Sequence, residues 1–315
     1  MRICVYHPTM GAVVAREVAR THPDVEVEVA HDVTVDPPRA GELDSLLANT
    51  LPDGLLARCP RLRWLHLTGT GIDHLVRAEP PTGLLVTNSR DVPARAVAEF
   101  VWMGLLALAK DAPRLVARQR ERTWRLPDSR LVAGSRLVLV GLGHIGSEIA
   151  RRAPGFEVRV TAVTRRGLPS PLVEDVRPVE ELEAAAAQAD HLVLAVPGTR
   201  ETRSLVDERV LAALPAHATV INVSRPSVLD TAALVAALES GRLRGALLDV
   251  HDEEPLPPAS PLWDVEGLWI TPHGAYRFPE EEAEIARLFV ENLTRLREGR
   301  ELRNRVQVPQ LEPAL

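Results

Sequence analysis

Short apolar runs alternate along this chain with stretches whose apolar residues recur at helical spacing. Arg2–Tyr6 reads as a strand, Gly11–Thr21 as a helix and Val25–Ala30 as a strand. Leu51–Arg58 reads as a helical turn, and Leu62–Leu67 and Leu84–Thr87 as strands. A long apolar helix is expected from Pro93 to Leu108, after the turn-like Asn88-Ser89-Arg90-Asp91. The alternation then restarts. Strands are expected at Leu137–Val140, Val158–Val163, His191–Ala195, Thr219–Asn222, Gly245–Asp249 and Leu268–Thr271. Helices lie between them, Ala184–Ala189 and Leu234–Leu238 being the clearest. In the last helix, Glu280–Arg297, residues Ile285, Leu288, Phe289, Leu293 and Leu296 share one face, the spacing of core packing. Such alternation predicts an α/β fold with parallel sheets. At 315 residues the chain is too long for one core, so two domains are expected.

One junction in the pattern carries chemistry. The apolar Val138-Leu139-Val140 runs into Gly141-Leu142-Gly143-His144-Ile145-Gly146, and a helix follows through Arg152. This is the G-x-G-x-x-G turn of a dinucleotide-binding βαβ unit. Gly141 permits the tight turn, Gly143 lets backbone N–H groups approach the pyrophosphate, and Gly146 lets helix and strand pack closely. The positive end of the helix then faces the phosphates. About 20 residues further on, a preference for NAD calls for an Asp or Glu on the ribose 2′-hydroxyl. This chain reads Val163-Thr164-Arg165-Arg166-Gly167 there, with no acid. Thr164, Arg165 and Arg166 suit a 2′-phosphate, so NADP is the expected cofactor, with NAD possible.

Three further segments follow expected strands: Ile221-Asn222-Val223-Ser224-Arg225-Pro226, Leu248-Asp249-Val250-His251-Asp252-Glu253-Glu254-Pro255, and Ile270-Thr271-Pro272-His273-Gly274. Ligands of doubly wound sheets bind outside the carboxyl ends of the strands. Arg225, Glu254 and His273 are therefore the candidate catalytic set. An arginine holds a substrate carboxylate bidentately. A histidine supplies the proton as hydride reaches a carbonyl carbon. A carboxylate orients that histidine and favours its charged form. Glu254 alone, in an acidic run, reads as a solvated charge; its company singles it out.

Composition narrows the partners. The net charge of −6 provides no basic field for nucleic acid or anionic membrane. No apolar run reaches membrane-spanning length, and Met1 to Tyr6 reads as a strand rather than a leader. Cys4 and Cys59 are the only cysteines, which excludes a disulfide framework or a Cys-based metal cluster and fits the cytoplasm. No metal is expected. Lys110 is the only lysine, which argues against Schiff-base chemistry.

Taken together, these motifs resemble the D-isomer-specific 2-hydroxyacid dehydrogenase family, most strongly from Val138 to His273. Arg225, Glu254 before Pro255, and His273 after Thr271-Pro272 match that family's catalytic positions. The resemblance adds a substrate loop, Gly69-Thr70-Gly71-Ile72-Asp73, in which backbone N–H groups around Thr70 and Gly71 hold the substrate carboxylate beside Arg225. Val196-Pro197-Gly198-Thr199-Arg200-Glu201-Thr202 looks like the family's loop along the cofactor. By the same resemblance Val196, Pro197, Thr202, Val223, Ser224, Asp249 and His273 join Gly141, Gly143, His144, Ile145 and Gly146 as cofactor contacts. Pro255 to Trp263 resembles the glyoxylate and hydroxypyruvate reductase branch.

The resemblance implies two doubly wound parallel-sheet domains, a Rossmann nucleotide domain at 95–275 and a flavodoxin-like substrate domain built from 1–94 and 276–315. It implies reduction of a small 2-oxoacid to a D-2-hydroxyacid, and a homodimer packed through the helix that begins near Pro93. Pro226 departs from the family's usual glycine and calls for a changed arginine loop, since proline fixes φ and removes an N–H. Tyr276 and Arg277 also depart, and either reach the site or face solvent. Two other readings use the same fold: a nucleotide-sensing binding protein, and a dehydrogenase of a non-carboxylate oxyanion. The Arg225–Glu254–His273 set argues against sensing, which needs no proton donor.

Overall fold

The computed structural model describes residues 1–71, 75, 81 and 83–306. In chain order its elements begin β1 (Arg2–Tyr6), α1 (Gly11–Thr21), β2 (Glu26–Ala30), β3 (Ser45–Ala48), β4 (Trp64–Leu67) and β5 (Leu85–Asn88). Next come α2 (Ala94–Ala109), α3 (Ala112–Arg120), β6 (Arg136–Val140), α4 (His144–Arg152), β7 (Arg159–Thr164), β8 (Asp175–Pro178), α5 (Leu182–Ala186) and β9 (His191–Leu194). The chain continues with α6 (Glu208–Ala213), β10 (Thr219–Asn222), α7 (Thr231–Glu239), β11 (Gly245–Leu248), β12 (Leu268–Ile270) and α8 (Glu281–Arg297). Two compact units result, Met1–Pro93 with Phe278–Leu315, and Ala94–Arg277.

The first unit is a parallel five-stranded sheet in the order β2-β1-β3-β4-β5, a doubly wound, flavodoxin-like arrangement. Val14 and Val18 of α1 and Ile285, Phe289 and Leu293 of α8 pack into one core with Ile3, Val5 and Trp64. Phe289 stacks on Trp64 with ring centroids 4.7 Å apart. Behind that stack a polar chain ties β4 to β5. Trp64 Nε1 donates to Thr87 Oγ1, and His66 bonds Thr87 through Nδ1 and Ser89 through Nε2. Complete burial pushes His66 down to about 3, so the ring stays neutral. β3 escaped the sequence pattern although it is central to the sheet. Its Ser-Leu-Leu-Ala is wholly buried, with neither alternation nor a β-branched residue to mark it. The helical turn expected at Leu51–Arg58 shrinks to a 3₁₀ turn at Leu56–Arg58.

The second unit is a parallel seven-stranded sheet in the order β12-β11-β10-β9-β6-β7-β8. The chain enters at β6, runs out to β8, then returns to β9 on the other side of β6. The order therefore reverses between β6 and β9, the switch point where doubly wound sheets bind ligands. α2 covers this sheet through Val97, Val101, Leu105 and Leu108, packed with Leu139, Val193, Ile221 and Leu247. The pattern also missed β8, α3 and α6. Asp175-Val176-Arg177-Pro178 is a polar edge strand, and its proline is tolerated only at such an edge. No helix among the described residues is long and apolar enough to cross a membrane.

Candidate active site

The switch point is built first by glycine. Gly141 turns the chain out of β6 at φ +100°, and a Cβ there would lie 2.5 Å from the carbonyl oxygen of Ala195 at the end of β9. A Cβ on Gly146 would overlap the carbonyl of Gly141, so α4 can lie against β6 only with glycine there. Gly143 is different: nothing lies within 4 Å of its Cβ position. Gly143 is the N-cap of α4, and no side chain caps the helix. The first N–H groups of α4, from His144 and Ile145 onward, thus open onto free space with the helix's partial positive charge behind them. That cradle fits a pyrophosphate.

Three loops leave the carboxyl ends of adjacent strands. In register, Asn222 of β10 lies beside Leu248 of β11, and Leu248 beside Ile270 of β12. The loops after them carry Arg225, Glu254 and His273. Glu254 Oε2 is 2.7 Å from His273 Nδ1, and Glu254 Oε1 accepts from the His251 N–H at 2.9 Å. Burial pushes the Glu254 carboxyl up, yet the hydrogen bonds from His273 and His251 outweigh it and hold Glu254 below the usual carboxylate range. A carboxylate only accepts, so Nδ1 carries the hydrogen and Nε2 points away from Glu254. The His273 side chain is 40% exposed. Tyr276 meets the ring edge-on, with centroids 6.1 Å apart, and Arg277 lies over the Tyr276 ring.

His273 itself sits at φ +51°, which costs a β-carbon residue on the order of 1 kcal/mol. Asp249 holds the turn in place. It is buried, and its carboxylate accepts from Thr271 Oγ1 at 2.8 Å, Gly274 N at 2.9 Å and Ala275 N at 3.0 Å. The resemblance placed Asp249 along the cofactor; its bonds are spent on the loop that presents His273.

The arginine loop is organised by Asn222, the Asn of the N-x-S/A-R-G setting in which the resemblance places Arg225, though the resemblance gives it no role of its own. Its Oδ1 accepts from Ser224 N and Oγ, and its Nδ2 donates to Arg225 O at 3.0 Å. Pro226 is absorbed without distortion. It opens a 3₁₀ turn, where an N–H would be unpaired, and keeps Arg225 extended at φ −141°, ψ 146°. The changed arginine loop expected from Pro226 is therefore a turn that proline favours. Arg225 Nη1 donates to Ser224 O at 2.7 Å, and its stem packs on Gly198, where a Cβ would come within 3.0 Å of Arg225 Cγ.

Other expected contacts are placed as follows. Val196 lies against Gly141. Thr202 Oγ1 donates to Pro197 O at 2.7 Å and accepts from Thr199 N at 2.8 Å, so it shapes its own loop. Val223 and Ser224 are buried. Thr164 ends β7, accepting from Gly167 N at 3.1 Å, with Arg165 and Arg166 exposed beside it. Thr70 and Gly71 belong to the first unit, where Asn88 Nδ2 donates to Thr70 O at 2.8 Å; Ile72 and Asp73 lie outside the described residues. No cluster able to hold a metal ion occurs among the described residues.

A sequence profile described as D-isomer specific 2-hydroxyacid dehydrogenase, NAD binding domain, matches residues 102–275, more than half of the chain. The chain belongs to the D-isomer-specific 2-hydroxyacid dehydrogenase family. The chain is 32% identical over 267 residues to a glyoxylate reductase of Korarchaeum cryptofilum, covering 82% of this chain and 80% of the relative. A glyoxylate reductase of Thermococcus gammatolerans is 31% identical over 303 residues, covering 90% and 89%. A D-isomer specific 2-hydroxyacid dehydrogenase from Xanthobacter autotrophicus Py2, solved with NADPH and MES, superposes with TM-score 0.87 at 31% identity, covering 97% of this chain and 98% of that one. This D-2-hydroxyacid dehydrogenase is thus an NAD(P)-dependent oxidoreductase that moves hydride between cofactor and the carbonyl of a small 2-oxoacid.

Proposed function

We propose that this dehydrogenase reduces small 2-oxoacids of the glyoxylate and hydroxypyruvate class with NADPH, using Arg225, Glu254 and His273. The observation that carries the reading is the 2.7 Å Glu254–His273 pair, one strand away from the Arg225 loop. The nicotinamide, when bound, supplies the hydride. Arg225 anchors the substrate carboxylate through its fork of donors and polarises the neighbouring carbonyl. His273 gives its Nε2 proton to the carbonyl oxygen, and Glu254 holds the ring by Nδ1 and balances the imidazolium charge. Steady-state turnover with glyoxylate and hydroxypyruvate tests the substrate class; no turnover with either, beside turnover of a larger 2-oxoacid, removes it. The names of the glyoxylate reductase relatives support the same class.

The preference for NADPH rests on the end of β7. Thr164 uses its oxygen to accept from Gly167 and keeps its hydroxyl proton for a phosphate oxygen. Arg165 and Arg166 supply two cationic forks, and no acid follows Val163 to repel the phosphate. Glu201 is the nearby counter-charge. Its carboxyl is held below the usual range chiefly by the Thr199 hydrogen bond, with Arg200 and Arg165 adding to it. The Xanthobacter relative's bound NADPH agrees with this assignment. Replacing Arg165 and Arg166 together by Ala should weaken NADPH at least tenfold, the scale of one charge-assisted bond of about 1.5 kcal/mol, and leave NADH within about twofold. Equal kcat/KM for NADPH and NADH in the parent enzyme overturns it.

We also assign a second copy of this chain as its partner. Met103, Leu115, Val116, Trp124, Leu126 and Leu131 are large apolar side chains left exposed along α2, α3 and the segment that follows. Trp124→Asp with Leu126→Asp should convert a dimer to a monomer in sedimentation; a monomeric parent rejects the assignment. A cytoplasmic setting fits Cys4 and Cys59, which are buried and unpaired, with burial pushing their thiols up to about 12 and about 11. The net charge of −6 favours no nucleic-acid partner.

A further inference from the structure

The β11–β12 ladder closes with Thr271 N–H donating to Leu248 O, and beyond it side chains, Asp249 among them, help fix how the Glu254 and His273 loops sit relative to each other. Besides Asp249, a second buried residue bonds to both, and it alone of the two reaches Glu254. The His251 N–H donates to Glu254 Oε1 at 2.9 Å, and His251 Nε2 lies 2.9 Å from the carbonyl oxygen of Thr271. The same carbonyl accepts from the His273 N–H at 3.1 Å, closing a tight turn around Pro272, and His273 follows it at φ +51°. With the Glu254–His273 bond the four residues close a ring: His251 to Glu254, Glu254 to His273, His273 to Thr271, Thr271 back to His251.

We propose that His251 is a positioning residue for the proton donor, setting the distance between Glu254 and His273 from behind. A carbonyl only accepts, so Nε2 carries the hydrogen and the ring is a donor toward Thr271. The His251 side chain is almost fully buried, and its Nδ1 has no hydrogen-bond partner among the described residues. The tie therefore runs through Nε2 alone. Nothing in the Gly141 turn or the β7 end depends on it. Its loss should loosen the acid and leave cofactor binding intact.

The inference rests on the catalytic reading of Glu254 and His273, and the variants separate the two. Turnover of glyoxylate with NADPH is measured for the parent, His251→Phe, His251→Gln, His251→Asn and His273→Ala. Phe keeps the ring shape without a donor. Gln carries an amide N–H that reaches where Nε2 stands, whereas Asn is one carbon too short. His251→Phe and His251→Asn should lose on the order of 10- to 10²-fold in kcat, the cost of a misplaced reacting group, with KM for NADPH unchanged within about twofold. His251→Gln should recover to within about threefold of the parent. A His251→Phe enzyme with parental kcat overturns the proposal. If that variant does not fold, equal turnover of the Asn and Gln variants overturns it instead. Parental turnover in His273→Ala overturns it by removing the dyad reading beneath it. A dead His273→Ala beside a parental His251→Phe removes this inference alone.

Discussion

His273→Ala should lower turnover by on the order of 10²–10⁴, the contribution of a positioned general acid, while NADPH still binds. The two readouts separate because the pyrophosphate cradle at Gly143 and α4 lies in another loop from the Thr271–Gly274 turn. Near-normal turnover in this variant ends the assignment. Glu254→Gln completes the test through pH. Glu254 is held below the usual carboxylate range, burial opposing and the His273 and His251 bonds prevailing. A carboxylate held low adds stability to the folded pair above its ordinary value, and that contribution fades as pH falls through the folded value. Gln keeps the shape and removes the charge that favours a protonated partner. The limb of the kcat profile set by the proton donor should move to lower pH, with a modest loss of rate. An unmoved limb shows that Glu254 only packs.

Arg225→Lys should fail almost as badly as Arg225→Ala, each losing on the order of 10²–10³ in kcat/KM through weaker substrate binding and slower chemistry. The reason is geometric. Asn222 and Pro226 hold the Arg225 backbone extended, Gly198 supports its stem, and the guanidinium is itself a planar fork of donors. An ammonium on a flexible stem makes one contact where the fork makes two. Inhibition by oxamate, a carboxylate analogue of the substrate, checks the binding half. If Arg225→Lys binds oxamate as tightly as the parent, Arg225 is not the carboxylate anchor.

Much of this is legible in the residues themselves. Strand and helix periods are local, so β1, α1, α2, β6, β10 and α8 were marked within a residue or two. The turn at Gly141 was marked too, because a positive φ and a Cβ-free approach are demands on single residues. Arg225, Glu254 and His273 could be singled out since each follows a strand and the parallel topology sends those ends to one side. What the residues alone left undecided involves partners distant in sequence. Glu254 became the pairing acid, over Asp252 and Glu253 beside it, because its carboxylate meets His273 from the next strand's loop. Asp249 and Asn222 were motif letters until their hydrogen bonds showed them bracing the histidine and arginine loops. β3 carried no period, and only burial between β1 and β4 made it a strand. The backbone and ring of His251 become a tie only when Glu254 and Thr271 meet on either side of it. Periodicity and backbone permissiveness are properties of neighbours along the chain, whereas a hydrogen bond's value depends on which distant donor the fold brings to it.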